Sequence, residues 1–410
     1  MRPIAVFAVY GEGHMNRILP IVDRFVRRGH PVHVWAPAVY GPRIEAVGAT
    51  FVDLFAGRAP ESVDPTSLPL SRRYIAFAAA FLDDLAHDVG VVDPAVVIYD
   101  AYAVMAPLIA ARLEIPAACV CSGHAGCAAR YRDGSRSSVV EVVSEECSSA
   151  LNTLRESYGF EWVDEFAYYE VSPDLNIYCE PPQFLLPEHR TLFEPVTFFG
   201  SVPSAGDPRR LGIGPSFHST GRKAYVSFGT IIWIYYRAEA LAAFETLSAV
   251  FSRAGIETII SMGGHDTDPA VRRSLERPGI RVESYVDQWA VLSEADLFVT
   301  HHGLNSTHEA IFQEVPMLSY PFFGDQPDQA RRCQDLGLAL ALSRTPRAPL
   351  DASDVNGTLL HLERNADAIA RRLAEASAWE REVMASRDDV LDQIVALAAS
   401  RDVTDVRLRP

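Results

Sequence analysis

The stretch that decides the fold is YVDQWAVLSEADLFVTHHGLNSTHEAIFQEVPMLSYPFFGDQPDQ, residues 285–329. Residues 297–300 form an apolar run that predicts a strand, and the polar residues 305–307 predict the opening of a helix. The first backbone N–H groups of a helix have no partner inside it, and the helix dipole adds partial positive charge there. Because His301 and Gly303 lie between the strand and the helix, the segment predicts a corner that binds phosphate.

The same segment resembles the donor-binding signature of the family 1 UDP-dependent glycosyltransferases, whose usual form is WxPQxxxLxxxxxxxxTHxGxNSxxExxxxGVPxxxxPxxxDQ. The resemblance implies that the diphosphate binds to His301, Gly303, Asn305 and Ser306, and that the ribose binds to Glu309. The uridine would contact Tyr285 and Gln288 with the adjacent Val286. The hexose hydroxyls would contact Asp325 and Gln326. The chain departs from the signature at three positions: Tyr285 replaces a tryptophan, Asp287 replaces a proline, and His302 replaces a small residue. A simpler interpretation, that Ser306 and Thr307 only cap a helix, leaves the downstream Asp–Gln pair unexplained.

The beginning of the chain predicts a second functional corner. Residues 4–9 form an apolar run of strand length, Gly11-Glu12-Gly13-His14 follows as a turn, and an amphipathic helical pattern begins at Met15. A dinucleotide fingerprint would need glycine in place of Asn16 and an acidic residue in place of Ala36, so a nicotinamide cofactor is not expected. A histidine remains at the carboxyl end of a strand, where open α/β sheets bind ligands.

Family 1 glycosyltransferases are similar here too, with a GHxNP motif whose histidine is the general base. Gly13, His14 and Asn16 match this motif, and Arg17 replaces its proline. The resemblance therefore implies that His14 is the catalytic base and that Gly13 borders the donor. The alternative for His14 is a solvated histidine in a turn.

A histidine base needs a carboxylate beside it, because the cation that forms when imidazole takes a proton is stabilised by a nearby anion. Asp100 ends the apolar run 96–99 and resembles in position the aspartate of the family's dyad. We expect it to orient His14. The alternative is that Asp100 only caps the segment 102–113.

Length and rhythm predict two α/β domains. At 410 residues the chain exceeds the ~250–300 residues at which a single core usually splits. Apolar runs alternate with helix-length segments in both halves, which predicts parallel sheets flanked by helices. The predicted strands are 4–9, 32–36, 51–54, 96–99, 117–121 and 196–199, then 224–228, 257–262, 280–284, 297–300, 317–320 and 338–342. The resemblance implies the GT-B fold, in which two Rossmann-like doubly wound domains face each other across a cleft.

The predicted boundaries follow from this rhythm. Residues 1–200 form an acceptor-binding domain and 223–385 a nucleotide-sugar-binding domain, with 201–222, rich in Gly, Pro and Ser, as the linker. By resemblance, a C-terminal helix within 386–410 returns to the first domain.

Composition limits the partners. A net charge of −16 argues against nucleic acid. The six cysteines show neither zinc spacing nor the density of a disulfide scaffold, and no targeting segment or membrane span is visible. We expect a cytoplasmic enzyme without stable membrane insertion.

One motif suggests a metal. Asp266-Thr267-Asp268 has the DxD spacing that binds divalent ions in another glycosyltransferase architecture. Pro269 follows at once, so Asp268 as the N-cap of a helix with proline at its first position explains the motif better. We therefore expect neither metal nor cofactor.

The acceptor site is less defined. The resemblance places Gly229 and Thr230 on the donor phosphates, and the aromatic run 231–236 after them suggests Trp233 as an acceptor wall, with packing beneath the linker as an equal alternative. Further candidates are Phe77 and Phe81, with Tyr74, Phe166, Tyr168 and Tyr169, although aromatic residues at helical spacing more often pack in a core.

Taken together, the resemblance implies an inverting transferase that moves a hexose, glucose by expectation, from UDP to a hydroxyl of a small apolar acceptor such as a polyketide, macrolide or flavonoid. His14 acts as the base and Asp100 as its partner. A transferase using a TDP-deoxysugar is the nearer alternative, and a non-catalytic partner or binding protein is the alternative of another class.

Overall fold

The computed structural model describes residues 1–68, 70–123, 142–204, 207, 210, 214, 216–265 and 268–407. The chain divides into two compact units: Met1–Phe199 with the segment from Ala385 onward, and Gly200–Met384. The division into domains 1–200 and 223–385 with a linker at 201–222 stays a prediction.

The first unit contains one parallel sheet. Its strands run in the order β3-β2-β1-β4-β5-β6-β7, and every pairing is parallel. The strands are β1 Ile4–Phe7, β2 Val32–Ala36, β3 Thr50–Asp53, β4 Val96–Asp100, β5 Ala117–Cys121, β6 Leu175–Tyr178 and β7 Val196–Phe198. The helices are α1 Glu12–Arg27, α2 Gly41–Ala46, α3 Pro60–Val63, α4 Leu70–Val92, α5 Met105–Arg112 and α6 Glu145–Glu156, with 3₁₀ turns at Ala38–Tyr40, Ala167–Tyr169, Pro182–Phe184 and Pro187–Leu192.

The second unit repeats this architecture with six parallel strands in the order β10-β9-β8-β11-β12-β13. The strands are β8 Lys223–Ser227, β9 Glu257–Ser261, β10 Ile280–Glu283, β11 Leu297–Thr300, β12 Met317–Ser319 and β13 Ala339–Ala341. The helices are α7 Ile232–Tyr235, α8 Arg237–Arg253, α9 Pro269–Leu275, α10 Gln288–Leu292, α11 Leu304–Phe312, α12 Gln326–Asp335, α13 Ala352–Arg364 and α14 Ala366–Ala385.

Of the strands in the two sheets, twelve coincide with the predicted apolar runs. Strands that helices cover on both faces are apolar throughout, and this makes them visible in the sequence. The unpredicted strand, β6, contains Asn176, which is fully buried. Its side-chain amide donates to the backbone carbonyls of Ser172 at 2.7 Å and Phe193 at 3.0 Å. These bonds offset the cost of burying a polar amide, and the strand forms despite its polar residue.

The strand order creates one special place in each sheet. Successive crossovers run in one direction from β1 to β3 and in the other from β4 to β7, so the direction reverses between β1 and β4. In the second sheet it reverses between β8 and β11. Crossovers leave opposite faces of the sheet at such points, and a crevice opens at the carboxyl ends of the strands. The sequence places the candidate residues after these four strands.

The last helix, α15 Arg387–Arg407, belongs to the first unit and contacts β4, β6 and β7. Arg387 is buried, donates from Nε to the carbonyl of Phe199 at 2.8 Å, and lies over the Phe199 ring. Arg24 of α1 and Arg28, the residue that follows α1, pair with Asp388 on the surface. The last helix therefore packs on the first unit. In the part of the chain that the structure describes, no helix is long and apolar enough to cross a membrane.

Candidate active site

His14 lies in the first turn of α1. The sequence places it in a turn, but the helix already begins at Glu12. Gly11 makes this possible: its φ is 142°, and an added Cβ would lie 2.7 Å from Cδ2 of His14. The sharp entry into the helix directs the imidazole towards the carboxyl end of β4.

Asp100, the last residue of β4, meets that imidazole. Nδ1 of His14 lies 2.9 Å from both carboxylate oxygens, although the two residues are 86 positions apart in sequence. The side chain of Asp100 has no exposed surface, whereas that of His14 is 23% exposed. Asp100 also accepts the backbone N–H of Tyr102 at 2.9 Å. It thus both closes the turn after β4 and contacts the histidine.

Arg17 completes the cluster, and the sequence analysis assigned it no role. Its Nη2 lies 3.1 Å from Oδ2 of Asp100 and 2.7 Å from Nδ1 of His14, and Nη1 donates to Ser122 at 3.3 Å. Burial by itself raises the pKa of the Asp100 carboxyl, but the charges of His14 and Arg17 and the hydrogen bonds outweigh it and hold that pKa well below its usual range. Asp100 is therefore an anion at neutral pH.

Aromatic rings surround His14 in the first unit. The ring of Tyr102 lies 4.6 Å from the imidazole and meets Tyr168 edge-on at 5.6 Å. Tyr168 and Tyr169, both acceptor-wall candidates, are buried. Tyr102 is only partly buried, and sequence reasoning missed it because it precedes α5 singly rather than as part of an aromatic pattern.

The other first-unit candidates have different surroundings. Phe77 has no exposed surface and packs edge-on against Phe55 in the core, and its contact with an acceptor stays a prediction. The rest of the unit covers that face of α4, which is the core packing that aromatic residues at helical spacing more often show. Tyr74 is buried as well. Phe81 is partly buried beneath the guanidinium of Arg58, and its role stays a prediction.

The predicted phosphate corner follows β11. Helix α11 begins at Leu304, with Gly303 as an N-cap that provides no side-chain hydrogen bond. His301 is directed between two glycines: an added Cβ at Gly229 would lie 2.8 Å from its Nε2, and one at Gly303 would lie 2.9 Å from its Cε1. The two glycines leave the space that the imidazole fills. Burial lowers the pKa of His301 to about 4, so its ring is neutral near pH 7.

Three of the predicted donor residues form a network. Nε2 of Gln288 donates to the Glu309 carboxylate at 2.7 Å, and the Ser306 hydroxyl donates to Oε1 of Gln288 at 3.2 Å. Glu309 is buried. The network connects α10 with α11 beside the corner. Asn305, partly buried, lies in the first turn of α11.

The residues before α10 explain one departure from the signature. Asp287, which replaces proline, is the N-cap of α10, and its carboxylate accepts from the backbone N–H of Ala290. Tyr285 is 71% exposed, and Val286 is buried. Tyr285 therefore offers an aromatic face at the surface, while Val286 packs inside.

His302 explains a second departure. Its backbone φ is +59°, a left-handed conformation, and its buried ring bridges the hydroxyls of Thr307 at 3.2 Å and Ser319 at 2.8 Å. The ring thus connects β12 with α11. Burial, with the charges of His301 and His308 as smaller causes, lowers the pKa of His302 to about 3.

Helix α11 is also held from behind. His308 has no exposed surface and pairs through Nδ1 with the equally buried Glu380 of α14. Gln329 donates to Nε2 of His308 at 3.1 Å, and Ser377 donates to the carbonyl of Phe312 at 3.0 Å. The helix that would contact the phosphate is therefore anchored to α12 and α14.

The Asp–Gln pair lies at the start of α12. Oε1 of Gln326 accepts from the backbone N–H groups of Phe322 at 2.9 Å and Phe323 at 3.3 Å, so this oxygen closes the preceding loop. Asp325 is the N-cap of α12 and is partly buried. Contact with a sugar stays a prediction for both residues.

The turn after β8 lies beside the phosphate corner. Gly229 has φ +70°, and an added Cβ at Gly263 would collide with the Gly229 carbonyl. His265 contacts the carbonyl of Thr230 at 3.1 Å. Trp233 is 4% exposed and packs against Phe244 at 5.5 Å between ring centres. A role of Trp233 in the acceptor wall stays a prediction, as does the alternative that it packs beneath the linker.

The DxD motif lies partly outside the described residues, which do not include Asp266 and Thr267. Asp268 is the N-cap of α9 and accepts from the backbone N–H of Ala270, with Pro269 at the first helical position. Within the described ranges, no group of three or more His, Cys, Asp or Glu side chains is arranged to hold a metal ion.

The chain is similar to known glycosyltransferases over most of its length. The family described as UDP-glucoronosyl and UDP-glucosyl transferase matches residues 264–358. The oleandomycin glycosyltransferase of Streptomyces antibioticus is 28% identical over 391 residues, 92% of this chain and 86% of that protein. The NDP-glycosyltransferase YjiC of Bacillus subtilis (strain 168) is 24% identical over 349 residues, 83% of this chain and 84% of that protein.

Solved structures agree on the fold. The glycotransferase of kitacinnamycin has a TM-score of 0.76 at 22% identity, covering 96% of this chain and 100% of that chain. The glycosyltransferase VinC in complex with dTDP has a TM-score of 0.63 at 17% identity, covering 98% of this chain and 100% of that chain. The fold is GT-B, as predicted. In sequence the chain is similar to glycosyltransferases of the family 1 type.

The glycine beside His301 can be tested. Gly303→Ala adds a methyl group where the His301 ring lies, and we expect the displaced ring to weaken nucleotide binding at least about tenfold, or ~1.4 kcal/mol. Calorimetric titration with UDP and TDP measures this. The matched control is Gly357→Ala in α13, where an added Cβ meets nothing within 4 Å. Equal affinities in the two variants would contradict the expectation.

The buried neutral histidines predict a pH dependence of stability. The pKa of His302 is about 3 in the folded chain and that of His301 about 4, against 6.5 for each when unfolded. As the pH falls below 6.5, the unfolded chain therefore binds more protons than the folded chain does. The free energy of unfolding decreases by up to about 1.4 kcal/mol per pH unit for each histidine. Urea unfolding at pH 7, 6 and 5 measures the loss.

The control for this experiment is His302→Asn, because asparagine tolerates the left-handed backbone and does not titrate. The variant should show a smaller decrease in unfolding free energy between pH 6.5 and 5 than the natural protein. An unchanged decrease would assign the pH dependence to other groups.

Proposed function

We propose that the protein transfers a hexose from a nucleoside diphosphate to a hydroxyl group of a small apolar acceptor, with inversion at the anomeric carbon. The observation that carries the proposal is the contact of His14 with Asp100 at 2.9 Å, at the carboxyl edge of the first sheet where its strand order reverses. A partly exposed imidazole with a buried anion behind it is suited to take a proton.

His14 takes the proton of the acceptor hydroxyl, and the acceptor oxygen forms a bond to the anomeric carbon. The bond from that carbon to the diphosphate oxygen breaks, and its electron pair leaves with the nucleotide. Asp100 stabilises the imidazolium. Attack opposite the leaving group inverts the configuration, and positioning of the two substrates supplies much of the rate.

The donor assignment draws support from the corner after β11. The N-terminus of α11 and His301 would contact the diphosphate, the helix through backbone N–H groups and the neutral imidazole through one N–H. The Gln288–Glu309 network suits the ribose, and the exposed ring of Tyr285 suits stacking on a base. We propose UDP-glucose as the donor, with no metal or other cofactor in the reaction.

A TDP-deoxysugar is the second candidate donor. Tyr285 replaces the signature's tryptophan at the base, and the solved structure of VinC with a TM-score of 0.63 is a complex with dTDP. Asp325 and Gln326 favour a hexose with its hydroxyls intact, because each side chain can bond to hydroxyl groups.

The setting we propose is natural-product glycosylation in the cytosol, since the similar oleandomycin transferase is named for such a product. The five described cysteines are buried free thiols, which fits a reducing compartment.

Titration calorimetry with UDP and with TDP, each with and without a chelator, tests the donor. His301→Ala should weaken the binding of the preferred nucleotide by ~1.5–3 kcal/mol, as expected for the loss of a hydrogen bond to a charged group. His361→Ala, at an exposed position, should leave the binding unchanged. Preference for TDP would favour the deoxysugar alternative. Binding of neither nucleotide would favour a non-catalytic protein.

Turnover tests the dyad. General base catalysis contributes typically ~10²–10⁴-fold, so His14→Ala should lower kcat by about that factor while nucleotide binding stays intact. Asp100→Asn should lower kcat as well, because the imidazolium loses its anion. His87→Ala, at an exposed position of α4, serves as the control. Full turnover in a folded His14→Ala variant would refute the assignment.

A further inference from the structure

A buried arginine shares the carboxylate of the dyad. Arg17 is three residues after His14 in α1, so both side chains lie on one side of the helix. Arg17 is only 6% exposed, and its Nη2 reaches both Oδ2 of Asp100 and Nδ1 of His14. The guanidinium is always charged and can only donate hydrogen bonds. The base therefore has a permanent cation within contact distance.

The contacts at Nδ1 of His14 compete with one another. When Nδ1 carries a proton it donates to Asp100, and that N–H then faces the N–H groups of Arg17. When Nδ1 carries none, it accepts from Arg17 at 2.7 Å, and the proton is on Nε2. A base that takes a proton through Nε2 needs the first of these states. Arg17 favours the second.

The charges act in the same direction. Asp100 and Arg17 together carry no net charge, so an imidazolium at His14 would give the three groups a net charge of +1. Without the arginine, the positive charge of the imidazolium and the negative charge of Asp100 would cancel. Arg17 and Asp100 are buried and His14 is 23% exposed, so the repulsion between imidazolium and guanidinium is only partly screened by solvent. Removing a proton from a weakly acidic alcohol is therefore harder in this site than in a simple dyad.

We infer that Arg17 is a specificity-determining positioning residue that restricts the acceptor to molecules whose nucleophilic oxygen ionises readily, a phenol or enol rather than an aliphatic alcohol. The inference rests on the proposed function. A phenol with a pKa near 10 needs little help to lose its proton. The proton passes to His14, the acceptor oxygen forms a bond to the anomeric carbon, and the bond from that carbon to the diphosphate oxygen breaks as the nucleotide leaves.

The test compares substituted phenols of graded acidity with benzyl alcohol as acceptors for the full chain. Arg17→Met removes the charge and keeps the length of the side chain. It should reduce the ratio of kcat/KM for phenol to that for benzyl alcohol at least about tenfold and leave the donor KM unchanged. Arg27→Met, in the same helix but in an exposed pair with Asp23, should keep the wild-type ratio. An unchanged ratio in Arg17→Met would overturn the inference.

A second measurement needs no turnover. The side-chain ¹⁵N shifts of His14 report which ring nitrogen carries the proton, and Arg17→Met should move the population towards protonated Nδ1, with Arg17→Lys intermediate. Shifts identical to wild type would overturn the inference. Should Arg17→Met not fold, Arg17→Gln replaces it. Failure to glycosylate any acceptor would refute the proposed function alone, because the ¹⁵N result still decides the role of Arg17.

Discussion

The constraint on which the structure depends is the parallel pairing of β1 with β4 and of β8 with β11. Parallel pairing brings the carboxyl ends of the two strands to one edge, and reversal of the strand order opens a crevice there. His14 follows β1 and Asp100 ends β4, so pairing joins residues 86 positions apart. His301 follows β11 and Gly229 follows β8, and the same geometry packs one against the other.

Buried polar groups with specific partners hold both corners. In the first unit the carboxylate of Asp100 is stabilised by an imidazole, a guanidinium and a backbone N–H. In the second, His302 bridges two hydroxyls and His308 pairs with Glu380. Unpartnered groups of this kind would cost several kcal/mol when buried.

The departures from the family signature have local physical causes. Asp287 caps α10 with its carboxylate, a function that proline cannot perform. His302 occupies a left-handed backbone position and fills the space behind α11, where a small residue would leave Thr307 and Ser319 without this bridge. Arg17 replaces a proline and adds a charge at the dyad. The first two departures maintain the architecture, and the third changes its chemistry.

The sequence by itself determined the alternation of strands and helices and placed His14 and Asp100 at the ends of strands, because apolar periodicity and motif spacing are local properties of the chain. The contact between these two residues, 86 positions apart, is a property of the tertiary structure. It missed β6, whose polar Asn176 is satisfied by the carbonyls of Ser172 and Phe193, and it did not indicate that neighbours in space bury Phe77 and Trp233. It also gave Arg17 no role. Burial and the sharing of one carboxylate depend on residues far apart in sequence, so only the tertiary structure could decide them.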